Sequence, residues 1–175
     1  MSSQKPRRAS LLQYSEYLLL ERMRKSRIPF LVVGGTAAYA YGLEVLPKDL
    51  DLVVEYQRET WERILLLADE VDPQPSGTGP LTREPKSFPA QLHVNLGRGV
   101  DVLSGLPQAN FAELFSRKQE AVVKVEHLYD EMKVPVADMG DLVASWRSRG
   151  EPRDAEWILA AEMLDATPLL GSLSL

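Results

Sequence analysis

Leu31-Val32-Val33-Gly34-Gly35-Thr36-Ala37 and, past Gly42, Lys48-Asp49-Leu50-Asp51-Leu52-Val53-Val54 are the two stretches whose reading decides the fold. Phe30 to Val33 is a short apolar run just after Pro29, the pattern of a buried strand. It runs directly into Gly34-Gly35, and Thr36 to Tyr41 is helix-permissive, so the unit reads strand, glycine turn, helix. Asp49 to Val54 reads as a second strand with β-branched residues at its end. A strand's period of two sets Asp49, Asp51 and Val53 on one face and Leu50, Leu52 and Val54 on the other. Two carboxylates so placed repel each other unless a hard cation lies between them. A glycine turn that opens a helix offers an anion its free N–H groups and the positive end of the helix dipole. Either feature alone is common in purely structural settings; the conjunction is much rarer and points to a site for phosphate and metal.

Working outward, Ser10 to Arg27 reads as a helix capped by Ser10, with Leu11, Leu12, Leu18, Leu19 and Met23 at helical spacing, and Pro29 stops it. Thr60 to Val71 is an amphipathic helix carrying Trp61, Ile64, Leu65 and Ala68. Asp72 to Pro89, with five prolines and two glycines, is a loop. Gln91 to Leu96 and Val100 to Leu103 form a hairpin across Gly97-Arg98-Gly99, with Asp101 in mid-strand. Phe111 to Lys118 is helical, and Ala121 to Val125 and Met132 to Val136 are strands on either side of a Glu126 to Asp130 turn. Asp138 or Asp141 caps a helix to Arg149, Gly150 ends it, and Pro152 opens a last helix through Leu164. The expected fold is α/β (α+β by strict layer count): a mixed sheet of four to six strands with helices on one face. Residues 1–136 form the core with its N-terminal helix, and residues 137–175 a C-terminal helical segment of the same domain, its end, Thr167 to Leu175, a packing or frayed tail.

Composition narrows the chemistry. The chain has 175 residues, 45% of them hydrophobic, enough for one compact domain with a core. It has no cysteine, which excludes disulfides, thiolate metal sites and a cysteine nucleophile, and fits a reducing cytoplasm. The basic start, Lys5 to Arg8, is followed by a segment interrupted by polar residues, which reads neither as a signal peptide nor as a membrane span. Net charge of -5 gives no broad footprint for nucleic acid, leaving only local clusters at Lys5 to Arg8 and at Arg147, Arg149 and Arg153. His93 and His127, the only histidines, have no metal-ligand spacing, and Trp146 and Trp157 read as core or docking residues. No serine-hydrolase triad can be assembled.

Asp101 adds a third carboxylate that a mixed sheet can bring to the edge where Asp49 and Asp51 stand, as two-metal phosphoryl or nucleotidyl transfer needs. With the glycine turn, the Asp-x-Asp and Val100-Asp101-Val102-Leu103 in this order, the chain resembles the DNA polymerase β-type nucleotidyltransferase superfamily, and within it the minimal and abortive-infection (AbiEii-like) toxin branch. The similarity extends through Asp141-Leu142-Val143-Ala144 and Gly150-Glu151-Pro152-Arg153-Asp154 and covers roughly residues 28–165. The resemblance implies transfer of a nucleoside monophosphate from an NTP to a hydroxyl or phosphate acceptor, with pyrophosphate leaving. Gly34, Gly35 and Thr36 would hold phosphates, Asp49 and Asp51 would ligate Mg²⁺ or Mn²⁺, and Asp101 would serve the second metal and the acceptor. The chain departs from the family at Val45 and Pro47, where relatives carry Arg and Thr, and at Trp146, where they carry Lys. Lys48, Arg147 and Arg153 are cations near the motifs that would restore the lost charge, and Lys48 and Arg153 are the phosphate-binding candidates among them. The acceptor, an RNA end such as that of tRNA, a protein or a small molecule, is not readable, and the acidic charge leans against tRNA. The rival expectation is a degenerate member that binds nucleotide without turnover and acts through a protein partner such as an antitoxin.

Overall fold

A computed structural model describes residues 5–6, 8–73, 88–125 and 128–166. Arg7, residues 74–87 of the proline-rich segment, Glu126 and His127 of the expected turn and the 167–175 tail lie outside the described residues. In chain order the elements are β1 (Ser10–Leu12), α1 (Tyr14–Lys25), β2 (Leu31–Val33), α2 (Gly34–Tyr41), β3 (Leu50–Val53), α3 (Arg58–Val71), β4 (Gln91–Val94), β5 (Val100–Leu103), β6 (Gly105–Leu106), β7 (Ala109–Asn110), α4 (Phe111–Ser116), β8 (Gln119–Val125), β9 (Glu131–Val136), α5 (Met139–Arg149) and α6 (Pro152–Ala166).

Seven of the strands form one mixed sheet in the order β1-β8-β9-β2-β3-β5-β4, while β6 and β7 make a separate two-stranded ribbon. The pairs β1–β8, β2–β9 and β3–β5 are parallel, and β2–β3, β4–β5 and β8–β9 antiparallel. The sheet thus exceeds the expected four to six strands, and the extra one is β1, from a stretch that reads as helix in the sequence. Ser10 and Leu12 are buried and Leu11 exposed, an alternation of period two that is too short to show against the leucine-rich pattern following it. The helix begins only after Gln13, whose N–H donates to Glu16 Oε2 at 2.9 Å, so Glu16 rather than Ser10 satisfies the first turn.

All three residues of β2 are buried although successive side chains point to opposite faces. Both faces of the sheet are therefore covered there, not one. Around it, α1 packs on α3, α2 on β1, β2, β3 and α5, and α5 on α6. Leu142, Val143, Trp146 and Ala161 tie the last two helices into the same core as β2 and β3. Asp138 accepts from Gly140 N at 2.9 Å at the start of α5, and Gly150, at φ +67°, ends it in the left-handed conformation. That sharp stop turns α6 back along α5. Among the described residues no helix is long and apolar enough to cross a membrane.

Candidate active site

The glycine turn is tighter than its sequence shows. Helix α2 starts at Gly34 itself, directly after β2, with Gly34 at φ +61°. A Cβ there would overlap Asp51 Oδ2 and stand 2.8 Å from Asp51 Cγ. Glycine is therefore needed twice over, for the left-handed backbone and for the approach of the Asp51 carboxylate. The first N–H groups of α2 have no partner within the helix, which leaves the backbone of Gly34, Gly35 and Thr36 as donors at this end.

Strand pairing supplies the rest. Antiparallel register sets Asp51 opposite Val33, the last residue before the turn. Parallel register sets Asp51 beside Asp101 on β5. Asp49 stands just ahead of β3, and ligand oxygens of Asp49, Asp51 and Asp101 lie within 4.8 Å of one another. Burial, then Asp49, then Asp101 push the Asp51 carboxyl from 3.8 up to about 7, against the opposing pull of Arg149 and Arg153. Three carboxylates so crowded, one of them resisting ionisation, form a donor set that a hard divalent cation fits, because oxygen ligands and charge neutralisation are what such an ion requires.

These residues line a cleft of about 580 Å³. Val33, Gly34, Gly35, Pro47, Lys48, Asp49, Asp51 and Asp101 border it; Leu103, Leu106, Pro107, Leu142, Trp146 and Trp157 supply much of the remainder. Of the residues picked out by sequence, Lys48 is exposed and borders the cleft, and Arg153 does so while pairing with Glu151 at 2.9 Å. Thr36 stands apart. Its side chain is 1% exposed, its hydroxyl has no hydrogen-bond partner among the described residues, and it does not border the cleft. Only its backbone can face an anion. Arg147 pairs with Glu162 at 2.7 Å and does not border the cleft. Val45 is buried in the core, and Trp146 is buried and borders the cleft.

Two functional candidates escape the sequence reading or gain a role from the fold. Arg149 borders the cleft and is clamped by Asp154, through Nε to Oδ2 at 2.9 Å and an Nη to Oδ1 at 2.6 Å. Asp154 is 1% exposed, and the Arg149 guanidinium holds its carboxyl below the usual range. Arg149 thus presents a fixed positive charge whose field reaches Asp51. The spacing Arg-x-x-x-x-Asp was the only trace of this pair in the sequence, and it crosses a helix break, so helical periodicity does not reveal it. His93, expected on the polar face of its hairpin, lies opposite Asp101, its Nδ1 2.7 Å from Asp101 Oδ1. The hairpin turn itself is tied down by Arg98, which donates to Pro47 O at 2.7 Å and to the fully buried Glu16 at 2.9 Å. One side chain therefore couples the approach to Asp49 with the turn that leads to Asp101.

No protein-family model matches the sequence, and no curated protein does. The fold is similar to the crystal structure of a candidate nucleotidyltransferase, TM1012 from Thermotoga maritima, with a TM-score of 0.51 and 16% identity, over 89% of this chain and 97% of that one. At that identity the likeness is one of fold, and the fold of this chain, a mixed sheet with helices packed on it, is nucleotidyltransferase-like.

Proposed function

We propose that this protein is a metal-dependent nucleotidyltransferase of the minimal, abortive-infection toxin type, which moves a nucleoside monophosphate from an NTP to a hydroxyl or phosphate acceptor. The observation that carries the reading is the meeting of Asp49, Asp51 and Asp101 within 4.8 Å beside the Gly34 turn. Asp49, Asp51 and Asp101 would hold Mg²⁺ or Mn²⁺. Bound there, divalent cations neutralise phosphate charge and lower the pKa of an attacking hydroxyl.

The chain's own residues divide the remaining work. The α2 N-terminus donates backbone N–H groups from Gly34 and Gly35 to phosphate oxygens. Lys48, Arg149 and Arg153 place positive charge around the leaving pyrophosphate, and Arg149 does so with little loss of side-chain freedom because Asp154 already fixes it. Asp101, paired with His93, would accept the proton of the acceptor hydroxyl. The cleft supplies the pre-organisation on which this class of reaction depends.

The test is pyrophosphate release from each NTP with Mg²⁺ or Mn²⁺, in the wild type and in Asp49→Ala and Asp51→Ala, with RNA, protein and small-molecule acceptors. Release that both substitutions abolish supports the enzyme. A second reading rests on buried Trp146 in place of the relatives' Lys: a nucleotide-binding module that acts through a protein partner. Metal-dependent ATP binding without turnover on any acceptor favours that reading. No thermal stabilisation by Mg²⁺ and ATP together would remove both.

A further inference from the structure

We infer that Trp157 is the stacking platform for the nucleobase, so that the cleft takes a whole nucleoside triphosphate and gains affinity from the base as well as the phosphates. The inference rests on the nucleotidyl-transfer reading of the carboxylates and extends it to the apolar lining of the same cleft.

A cleft of about 580 Å³ lies within the range that encloses whole small-molecule ligands. Leu106, Pro107, Leu142, Trp146 and Trp157 line it as well, an apolar share of the wall of the cleft that the carboxylates border. Trp157 is half-buried and held edge-on against buried Trp146, ring centroids 5.4 Å apart at 71°. Packing therefore sets the direction of the indole before any ligand arrives.

Its contact with Arg153 is loose. The Arg153 guanidinium stands 5.7 Å from the ring centroid, near the outer limit of about 6 Å for a cation–π contact, and is also paired with Glu151. Trp157 lies one helical turn beyond Arg153, and both border the same cleft as Asp49, Asp51 and Asp101. The indole and the carboxylates thus fall within the reach of one nucleotide, the phosphates at the glycine turn and the base toward α6. A nucleobase suits this wall better than a further anion, since it offers a flat apolar face and indole stacking accepts any base. Apart from the indole N–H groups of Trp146 and Trp157, only Gln91 and Ser145 among the described lining residues offer hydrogen bonds from uncharged side chains, so discrimination among bases should be weak, with purines ahead through their larger stacking area.

The experiment compares Mg²⁺-dependent binding of ATP and of inorganic tripolyphosphate to the full chain by calorimetry, in the wild type, Trp157→Leu and Trp157→Phe. The expected result is tighter wild-type binding of ATP than of tripolyphosphate. Trp157→Leu should weaken ATP by about tenfold and leave tripolyphosphate unchanged, while Trp157→Phe keeps most of the ATP affinity. Unchanged ATP affinity in Trp157→Leu overturns the inference and leaves the nucleotidyl-transfer reading standing. If Trp157→Leu does not fold, the wild type still decides: equal affinity for ATP and tripolyphosphate means the base contributes nothing, which also overturns it. Absence of wild-type binding to both ligands removes the nucleotidyl-transfer reading and this inference with it.

Discussion

Replacing Asp51 by Asn keeps the shape of the side chain and removes one charge from the carboxylate cluster, and the effect on stability can be worked from the structure. Burial and the neighbouring Asp49 and Asp101 raise the Asp51 carboxyl from 3.8 in the unfolded chain to about 7 in the fold. Between those values the folded state binds the proton and the unfolded state does not. The stability contributed by this group is therefore complete below 3.8 and is lost as pH rises through about 7. At about 1.4 kcal/mol per unit, the ionised carboxylate costs the metal-free fold at most about 4 kcal/mol at pH 8, and about 2–4 kcal/mol once solvent relaxation is allowed for. For a chain of this length each kcal/mol moves Tm by about 2–4 °C. Asp51→Asn should thus melt about 5–15 °C above the wild type at pH 8 in EDTA. The gap should narrow toward pH 5, where the wild-type carboxyl is already protonated. Mg²⁺ should raise the wild-type Tm at pH 8 and the variant's much less. Differential scanning calorimetry across pH with and without Mg²⁺ reads all of this. A variant that melts at or below the wild type at pH 8 in EDTA would refute the claim that the three carboxylates crowd one another.

Gly34→Ala forces a Cβ into the Asp51 carboxylate at a left-handed φ; it should cost about 1–3 kcal/mol in chemical denaturation and abolish Mn²⁺ binding measured by paramagnetic resonance. Asp154→Ala releases Arg149 and removes the acceptor for Glu151 N, so a loss of about 2 kcal/mol together with weaker tripolyphosphate binding is expected; a purely structural pair would leave the binding untouched. Glu16→Gln strips the charge from a fully buried group that accepts from Gln13 N and from Arg98, and should lower stability by about 3 kcal/mol in urea titration.

Local patterns carried a large part of this reading. The run of apolar residues into Gly34-Gly35, the alternation across Asp49 to Val54 and the glycine-bounded hairpin around Asp101 are short-range signals, because backbone sterics and the strand's period of two act over a few residues. They determined that a strand meets a glycine turn and that each acidic side chain stands on a strand or at its start. The α5–α6 break followed in the same way from Gly150 and Pro152, which local chain geometry alone compels.

What only the tertiary structure decided is which neighbours those strands take. The parallel register that sets Asp51 beside Asp101 joins strands far apart in sequence, and a shift of one residue would turn Asp101 to the other face. No short pattern encodes such a choice; it is settled by the burial of both faces at once. The same holds for β1, whose three residues become a strand only because β8 is there to pair with them, and for Thr36, which the packing of α2 turns away from the cleft. Arg149 and Trp157 reach the cleft because α5 and α6 dock on the core, so the cation and the indole that line it are products of long-range packing, while the carboxylates and their glycine turn are written in the chain itself.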